Sequence, residues 1–204
     1  MVFADGDGRA AAMRHLASLR DFLPARLLAD LSPGMRSALA PRFRIEERGE
    51  GEHCRMVLAQ RRIIRGMDTS SVEPLGRRHL GELRQLYRVA YPGTFFAPDH
   101  LALGHFFGIR EAGRLVCAGG LLTISRKLGA AALGNIATHP SFRRRGLASL
   151  VVARICQDLD RRISLIGLCV KARNRGAILC YRRLGFRIVA RTDIFYAIAR
   201  READ

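Results

Sequence analysis

The chain has 204 residues, enough for one domain with an appendage or two small ones, and 49% of them are hydrophobic, which excludes global disorder. No apolar run approaches the roughly 18 to 20 residues that span a bilayer, and Met1–Asp21, carrying Asp5, Asp7, Arg9 and Arg14, has no signal-like apolar stretch, so no membrane association and a cytoplasmic location are expected. The net charge is +17, but all except two of the 35 basic residues are arginine and they are scattered without long like-charge blocks, so specific nucleic-acid binding is not expected.

In chain order, Ala11–Leu31 reads as helical from Met13, Leu16, Leu19, Phe22 and Leu23, with interruptions at Pro24 and Ser32-Pro33-Gly34. Phe43–Glu47 and Arg55–Leu58 flank Glu50-Gly51-Glu52 and predict a hairpin. Gly66–Ser71 reads as a junction. Residues 1–65 are therefore expected to form an N-terminal helix-plus-hairpin extension, a structural lobe or dimerisation arm, and 66–204 the main domain. A monomer and a homodimer both fit this layout.

Beyond the junction the elements alternate. Val72–Leu75 predicts a short strand and Arg78–Tyr91 a helix ended by Pro92-Gly93; Pro98-Asp99 start a second helix through about Phe106. Phe107–Glu111 and Leu115–Ile124 flank Ala112-Gly113, a tight-hairpin signature. Ala131–Thr138 is a strand, Gly146–Arg161 an amphipathic helix and Ile163–Val170 a buried parallel strand. Asn174–Leu184 is a helix closed by Gly185, and Phe186–Ala190 and Ile194–Ala199 are final strands. This order predicts an α/β or α+β layered domain with a mixed sheet.

The five cysteines, Cys54, Cys117, Cys156, Cys169 and Cys180, are odd in number and lack CxxC spacing. They read as reduced, buried small hydrophobes, and no His/Cys/Asp spacing predicts a metal site.

The most informative stretch is Leu133–Leu150, LGNIATHPSFRRRGLASL. A strand ends, a loop carries Arg143, Arg144 and Arg145, and a helix opens at Gly146. Unpaired N–H groups and the helix dipole make such a start an anion site. Gly146 would let a phosphate approach the backbone, Ala148 leaves room, and the arginines add donors. The competing reading is a solvated basic loop before an ordinary helix. Downstream, Asn174, Ala177, Ile178 and Tyr181 share one helix face. Asn174 suits an N-cap, and Tyr181 could equally be a core aromatic with a bonded hydroxyl.

Together, Arg143-Arg144-Arg145-Gly146-Leu147-Ala148 and the pattern Leu168, Val170, Asn174, Ala177, Tyr181, Leu184-Gly185-Phe186 resemble the two signatures of the GNAT superfamily of acetyl-CoA-dependent N-acetyltransferases. The resemblance covers about Ser70–Ala199. It implies a mixed, mostly antiparallel twisted sheet flanked by helices. It implies that acetyl-CoA binds through its pyrophosphate at Arg143–Ala148, including Leu147, and through its pantetheine arm along Asn135, Ile136, Ala137 and Thr138, with Asn174 and Ala177 beside the arm. It implies direct acyl transfer to an amine through a tetrahedral intermediate, with Tyr181 as the acid that protonates the leaving thiolate and backbone N–H groups near Ile136 and Ala137 as oxyanion donors.

The general base is open. The strand position where many relatives carry a carboxylate holds Asn135; Glu111, His105, His139, a water chain or an already neutral amine could serve. Tyr87, Tyr91, Phe95, Phe96, His105 and Phe106 could wall an acceptor pocket or belong to the core. The acceptor expected is an amine on a small molecule or a peptide. The alternative is a catalytically silent CoA-binding sensor or regulatory module.

Overall fold

A computed structural model describes residues 7–94, 96–159 and 163–200. Its elements are α1 (Asp7–Leu19), β1 (Arg26–Leu31), β2 (Phe43–Leu58), α2 (Arg61–Arg65), β3 (Glu73–Pro74), α3 (Leu80–Ala90), β4 (Phe107–Glu111), β5 (Arg114–Ser125), β6 (Ala130–Thr138), α4 (Leu147–Asp158), β7 (Leu165–Lys171), α5 (Arg175–Arg183) and β8 (Phe186–Ala199). The fold is a mixed, mostly antiparallel sheet with helices, as the sequence predicts.

The described residues form two compact units. The first takes the chain up to Arg55, Val170–Asn174 and the residues from Ile188; the second takes Met56–Cys169 and Arg175–Arg187. In the first unit β1 pairs antiparallel with the end of the chain, from Arg26 opposite Ile198 to Leu31 opposite Asp193. The core of this unit is Ala29, Leu39, Phe43, Phe195 and Ala197.

Three local expectations change in this unit. Arg26–Leu31 is a strand and not the tail of a helix: the helical stretch stops before Pro24, which lacks the N–H to continue it, and β8 supplies strand partners instead. Phe43–Leu58 is one strand and not a hairpin, because its later residues find partners elsewhere: the Glu52 carbonyl accepts from the Ala172 N–H at 2.8 Å, and Arg55 pairs with Asp30 of β1. Phe186–Ala199 is one strand and not two; Thr192 is buried within it, and Asp193 sits opposite Leu31 while bonding Arg36 at 3.2 Å.

The second unit carries strands in the order β7-β6-β5-β4-β3. β6 runs parallel to β7, and the other neighbours are antiparallel. The β4–β5 hairpin turns at Ala112-Gly113 as expected. One face is covered by α3, whose Leu83, Leu86 and Tyr87 pack with Phe106, Leu115, Ala118 and Ala137. On β6, Ile136 points to the opposite face from Ala137. A Cβ placed on Gly119 would meet Ile136 and Val151 of α4 together, so α4 covers that second face. Val151, Val152 and Ile155 are fully buried there. α4 closes at Asp158, earlier than expected, because Leu159 is already extended; Asp160 and Arg161 lie outside the described residues. The expected helix from Pro98 is a 3-10 segment, Pro98–Leu103.

Gly185 closes α5 at φ +90°, and a Cβ there would lie 2.7 Å from the Gln60 carbonyl oxygen. The Gly185 carbonyl accepts from the Ala59 and Gln60 N–H groups at 2.9 and 3.2 Å. Backbone strain and backbone collision therefore act together. Gly185→Ala is expected to destabilise the protein by about 1–3 kcal/mol. Urea unfolding checks this, and an unchanged midpoint would contradict the packing described.

Candidate active site

The site begins with an irregularity in β6. Ala118 of β5 faces Ala137 and Gly120 faces Gly134, so the single residue Gly119 opposes two, Asn135 and Ile136. This is a β-bulge. Asn135 occupies it at φ +54°, a left-handed conformation that asparagine tolerates better than most side chains. The parallel register with β7 runs from Ala130 opposite Leu165 to Leu133 opposite Leu168 and stops there. From the bulge to Thr138, that edge of β6 has no strand partner among the described residues. The His139 N–H donates to Val116 of β5 at 2.8 Å. Alternation then turns the Ala137 N–H toward β5 as well, and those of Ile136 and Thr138 toward the open edge. The Asn135 carbonyl is taken by the Tyr87 hydroxyl at 2.8 Å. Of the four residues expected to offer backbone donors here, Ile136 and Thr138 face the right way; Asn135 and Ala137 are engaged in the fold.

After β6 the chain makes a 3-10 turn over Pro140–Phe142 and enters the basic loop. Arg144 stands at φ +67° and Gly146, the cap of α4, at φ +79°. Among the described residues, no acceptor is found for the backbone N–H groups of Arg144, Arg145, Gly146, Leu147 or Ala148. Left-handed residues spaced this way gather successive N–H groups into an anion-binding concavity, and the helix dipole adds to it. A Cβ on Gly146 would meet no protein atom within 4 Å. The protein therefore leaves the space above Gly146 open, and the glycine is required first by its backbone conformation. Leu147 is buried and anchors the helix start, and Ala148 is half-buried.

The three arginines, expected to act together on phosphate, diverge. Arg143, itself exposed, folds back onto the chain: its Nε donates to the Thr138 carbonyl at 3.2 Å and its NH2 to the Ala90 carbonyl, the end of α3, at 3.1 Å. Arg145 pairs with Glu111 at 3.0 Å and lies over the Phe142 ring. Arg144 is exposed, and among the described residues nothing holds its guanidinium.

Tyr181 on α5 is buried and packs against Phe186, ring centroids 6.0 Å apart. Among the described residues no hydrogen bond to its hydroxyl is found. Burial holds the phenol pKa well above its usual value, with Cys180, Tyr91 and Cys117 nearby adding to the effect. The hydroxyl is therefore a standing proton donor. The neighbouring thiols are neutral too: Cys117, bonded to Thr138 at 3.3 Å, is pushed up to about 12 by burial, and burial also raises Cys180, whose sulfur contacts the Ser149 hydroxyl at 3.2 Å. Not every cysteine is buried: Cys169 is exposed.

Asn174 lies just before α5, its N–H bonded to the Lys171 carbonyl at 2.9 Å, and Ala177 is half-buried on the helix. The proposed bases are all engaged. His105 bonds Asp158 at 2.7 Å, at the far end of α4, about 18 Å from the basic loop along a 12-residue helix. Glu111 holds Arg145, and His139 accepts from the Ser141 N–H at 3.4 Å while facing Arg114 at 3.0 Å. Of the expected aromatic wall, Tyr87, Phe96 and Phe106 do assemble, with Phe96 at 4.9 Å from Tyr87 and 5.7 Å from Phe106; Tyr91 is exposed at the end of α3, and Phe95 lies outside the described residues. The bulge and the folding back of Arg143 were not foreseen. Gly119-Gly120 opposite Asn135 was the one available signal for the bulge.

Comparison with known proteins bears on the family and the fold. The family model described as FR47-like protein matches residues 108–195. The ribosomal protein bS18-alanine N-acetyltransferase of Salmonella typhimurium is 35% identical over 75 residues, 36% of this chain and 51% of the relative, so the match spans about half of that enzyme. A GNAT-family protein of Novosphingobium aromaticivorans superposes with a TM-score of 0.70 at 22% identity, covering 91% of this chain and 80% of that one. Arabidopsis thaliana Naa50, in complex with the bisubstrate analogue CoA-Ac-MVNAL, gives a TM-score of 0.51 at 19% identity, over 62% of this chain and 97% of that one. At these identities the structural likeness establishes the fold.

The divergent arginines give a direct test. Arg143→Met removes two hydrogen bonds to backbone carbonyls and is expected to cost about 1–3 kcal/mol. Arg144→Met is expected to stay within about 0.5 kcal/mol of the parent. Thermal unfolding of the pair checks this, and equal stabilities would contradict the placement of Arg143.

Proposed function

We propose that the chain is a member of the GNAT superfamily, to which its family match and its fold point, and that it is an N-acetyltransferase that moves an acetyl group from acetyl-CoA to an amine by direct attack. The observation that carries this reading is the run of five backbone N–H groups over Arg144–Ala148 for which the described residues offer no acceptor, beside an open strand edge. Those groups fit a pyrophosphate, with the Arg144 guanidinium free to join. The Ile136 and Thr138 N–H groups fit an amide-bearing arm laid along β6, and Ala177 leaves room beside it. When bound, acetyl-CoA supplies the activated acetyl thioester.

The chain's own groups then have three tasks. The Ile136 N–H, at the bulge, suits a developing oxyanion. Tyr181 gives its proton to the departing sulfur, and its unbonded, protonated hydroxyl is the observation behind that role. The amine must lose a proton, and Asn135 cannot take it. Water, or an amine already neutral at working pH, fills that role in this reading. The acceptor is an amine on a small molecule or a peptide; the names of two relatives, one acting on a ribosomal-protein alanine and one bound to a peptide-bearing analogue, favour a peptide N-terminus.

A second reading, a catalytically silent CoA-binding module, is favoured by one feature, the absence of a carboxylate at the bulge. Calorimetry with acetyl-CoA followed by a free-thiol assay over an amine panel separates the two: binding without CoA release selects the silent module.

Tyr181→Phe keeps the ring and removes the donor. The proposed role predicts a fall in kcat of about 10²-fold or more with little change in acetyl-CoA affinity. Because no group among the described residues bonds the hydroxyl, the melting temperature is expected to stay near that of the parent. Turnover near wild type in the Phe variant would remove Tyr181 from the mechanism.

A further inference from the structure

Asn135 is buried, and both ends of its carboxamide are engaged. Its Oδ1 accepts from the Thr94 hydroxyl at 3.0 Å, and its Nδ2 faces His100 Nδ1 at 3.2 Å. His100 Nδ1 also accepts from the Ala97 N–H at 3.3 Å, so that nitrogen presents a lone pair and the Asn135 group facing it must be the amino end. The two partners lie 41 and 35 residues upstream and bracket the segment that carries Phe96. Phe96 in turn packs on Tyr87, Phe106 and His100. The Asn135 backbone is fixed by the same surroundings, since its carbonyl receives the Tyr87 hydroxyl.

We propose that Asn135 is a positioning residue for the amine acceptor, clamping the Thr94–His100 loop and its aromatic wall onto the β6 bulge. The proposal rests on the acetyltransferase reading and deepens it. The next residue, Ile136, carries the N–H assigned to the oxyanion. One residue therefore fixes both the strand that would hold the acyl carbonyl and the loop that would wall the acceptor. A carboxylate at this position would repel no cation but would lose the donor to His100. Asparagine supplies one acceptor and one donor to two fixed partners, and it tolerates the left-handed backbone that the bulge imposes.

The test uses the full chain and Asn135→Gly, which retains the left-handed backbone and removes only the carboxamide. Thr94→Val, which deletes one of the two clamp bonds, is measured beside it. The proposal predicts that acetyl-CoA affinity by calorimetry stays within about twofold, while kcat/KM for the amine falls about tenfold or more. Chymotryptic cleavage after Phe96 should accelerate by a similar factor. The double variant should be no worse than Asn135→Gly alone, because both changes break one clamp. A merely structural role would instead lower the melting temperature and weaken both substrates together, and that outcome overturns the proposal, as does an unchanged amine kcat/KM. If the parent chain releases CoA with no amine in the panel, the proposed function has failed. Cleavage then decides the clamp: an unchanged rate after Phe96 overturns it, and a faster rate at unchanged acetyl-CoA affinity upholds it.

Discussion

One extra residue in β6, opposite Gly119, governs the rest of the site. An antiparallel ladder cannot absorb an unmatched residue without bending, and the bend releases β6 from β7 after Leu133. An edge deep in a sheet is thereby opened without leaving the sheet. Space is made for the bulge on both sides. A Cβ on Gly119 would sit 2.9 Å from Ile136, and one on Gly120 would strike the Phe106 ring. The two adjacent glycines of β5 are thus the packing counterpart of the two-residue bulge, and α3 and α4 hold the distorted strand from opposite faces.

From the bulge, β6 runs four residues to a turn whose electrostatics differ from what its composition suggests. Three consecutive arginines look like a triple clamp for phosphate. Two of them are engaged at the protein surface, Arg143 on carbonyls at the ends of α3 and β6, and Arg145 on Glu111. In the proposed function the phosphate would then meet mainly main-chain N–H groups, which need no side-chain ordering. Arg143 also links the end of α3 to the turn.

Both signatures were legible because their information is local. The basic loop precedes a helix cap, and Ala177, Tyr181 and Gly185 follow one helix and its end. The α3, α4 and α5 helices and the β4–β5 hairpin were legible for the same reason, each within a window of a few turns. What was not legible depends on partners far along the chain. Arg26–Leu31 is a strand because residues 193–198 lie beside it, and no local pattern announces that. Glu50-Gly51-Glu52 looks like a turn, yet each side of it is paired with other segments. The Asn135 carboxamide reads as a missing base until Thr94 and His100 are seen holding it. Among the base candidates His105 lies away from the basic loop, since its partner Asp158 stands at the other end of α4.

The central claim is that backbone N–H groups over Arg144–Ala148 and at Ile136 receive acetyl-CoA. Hydrogen–deuterium exchange of the full chain, with and without saturating acetyl-CoA, measures those groups directly. The account predicts slowed exchange across Arg144–Ala148 and at Ile136 and Thr138, with Ala137, already paired to β5, unchanged. Binding that slows exchange elsewhere while these amides exchange as before would contradict it.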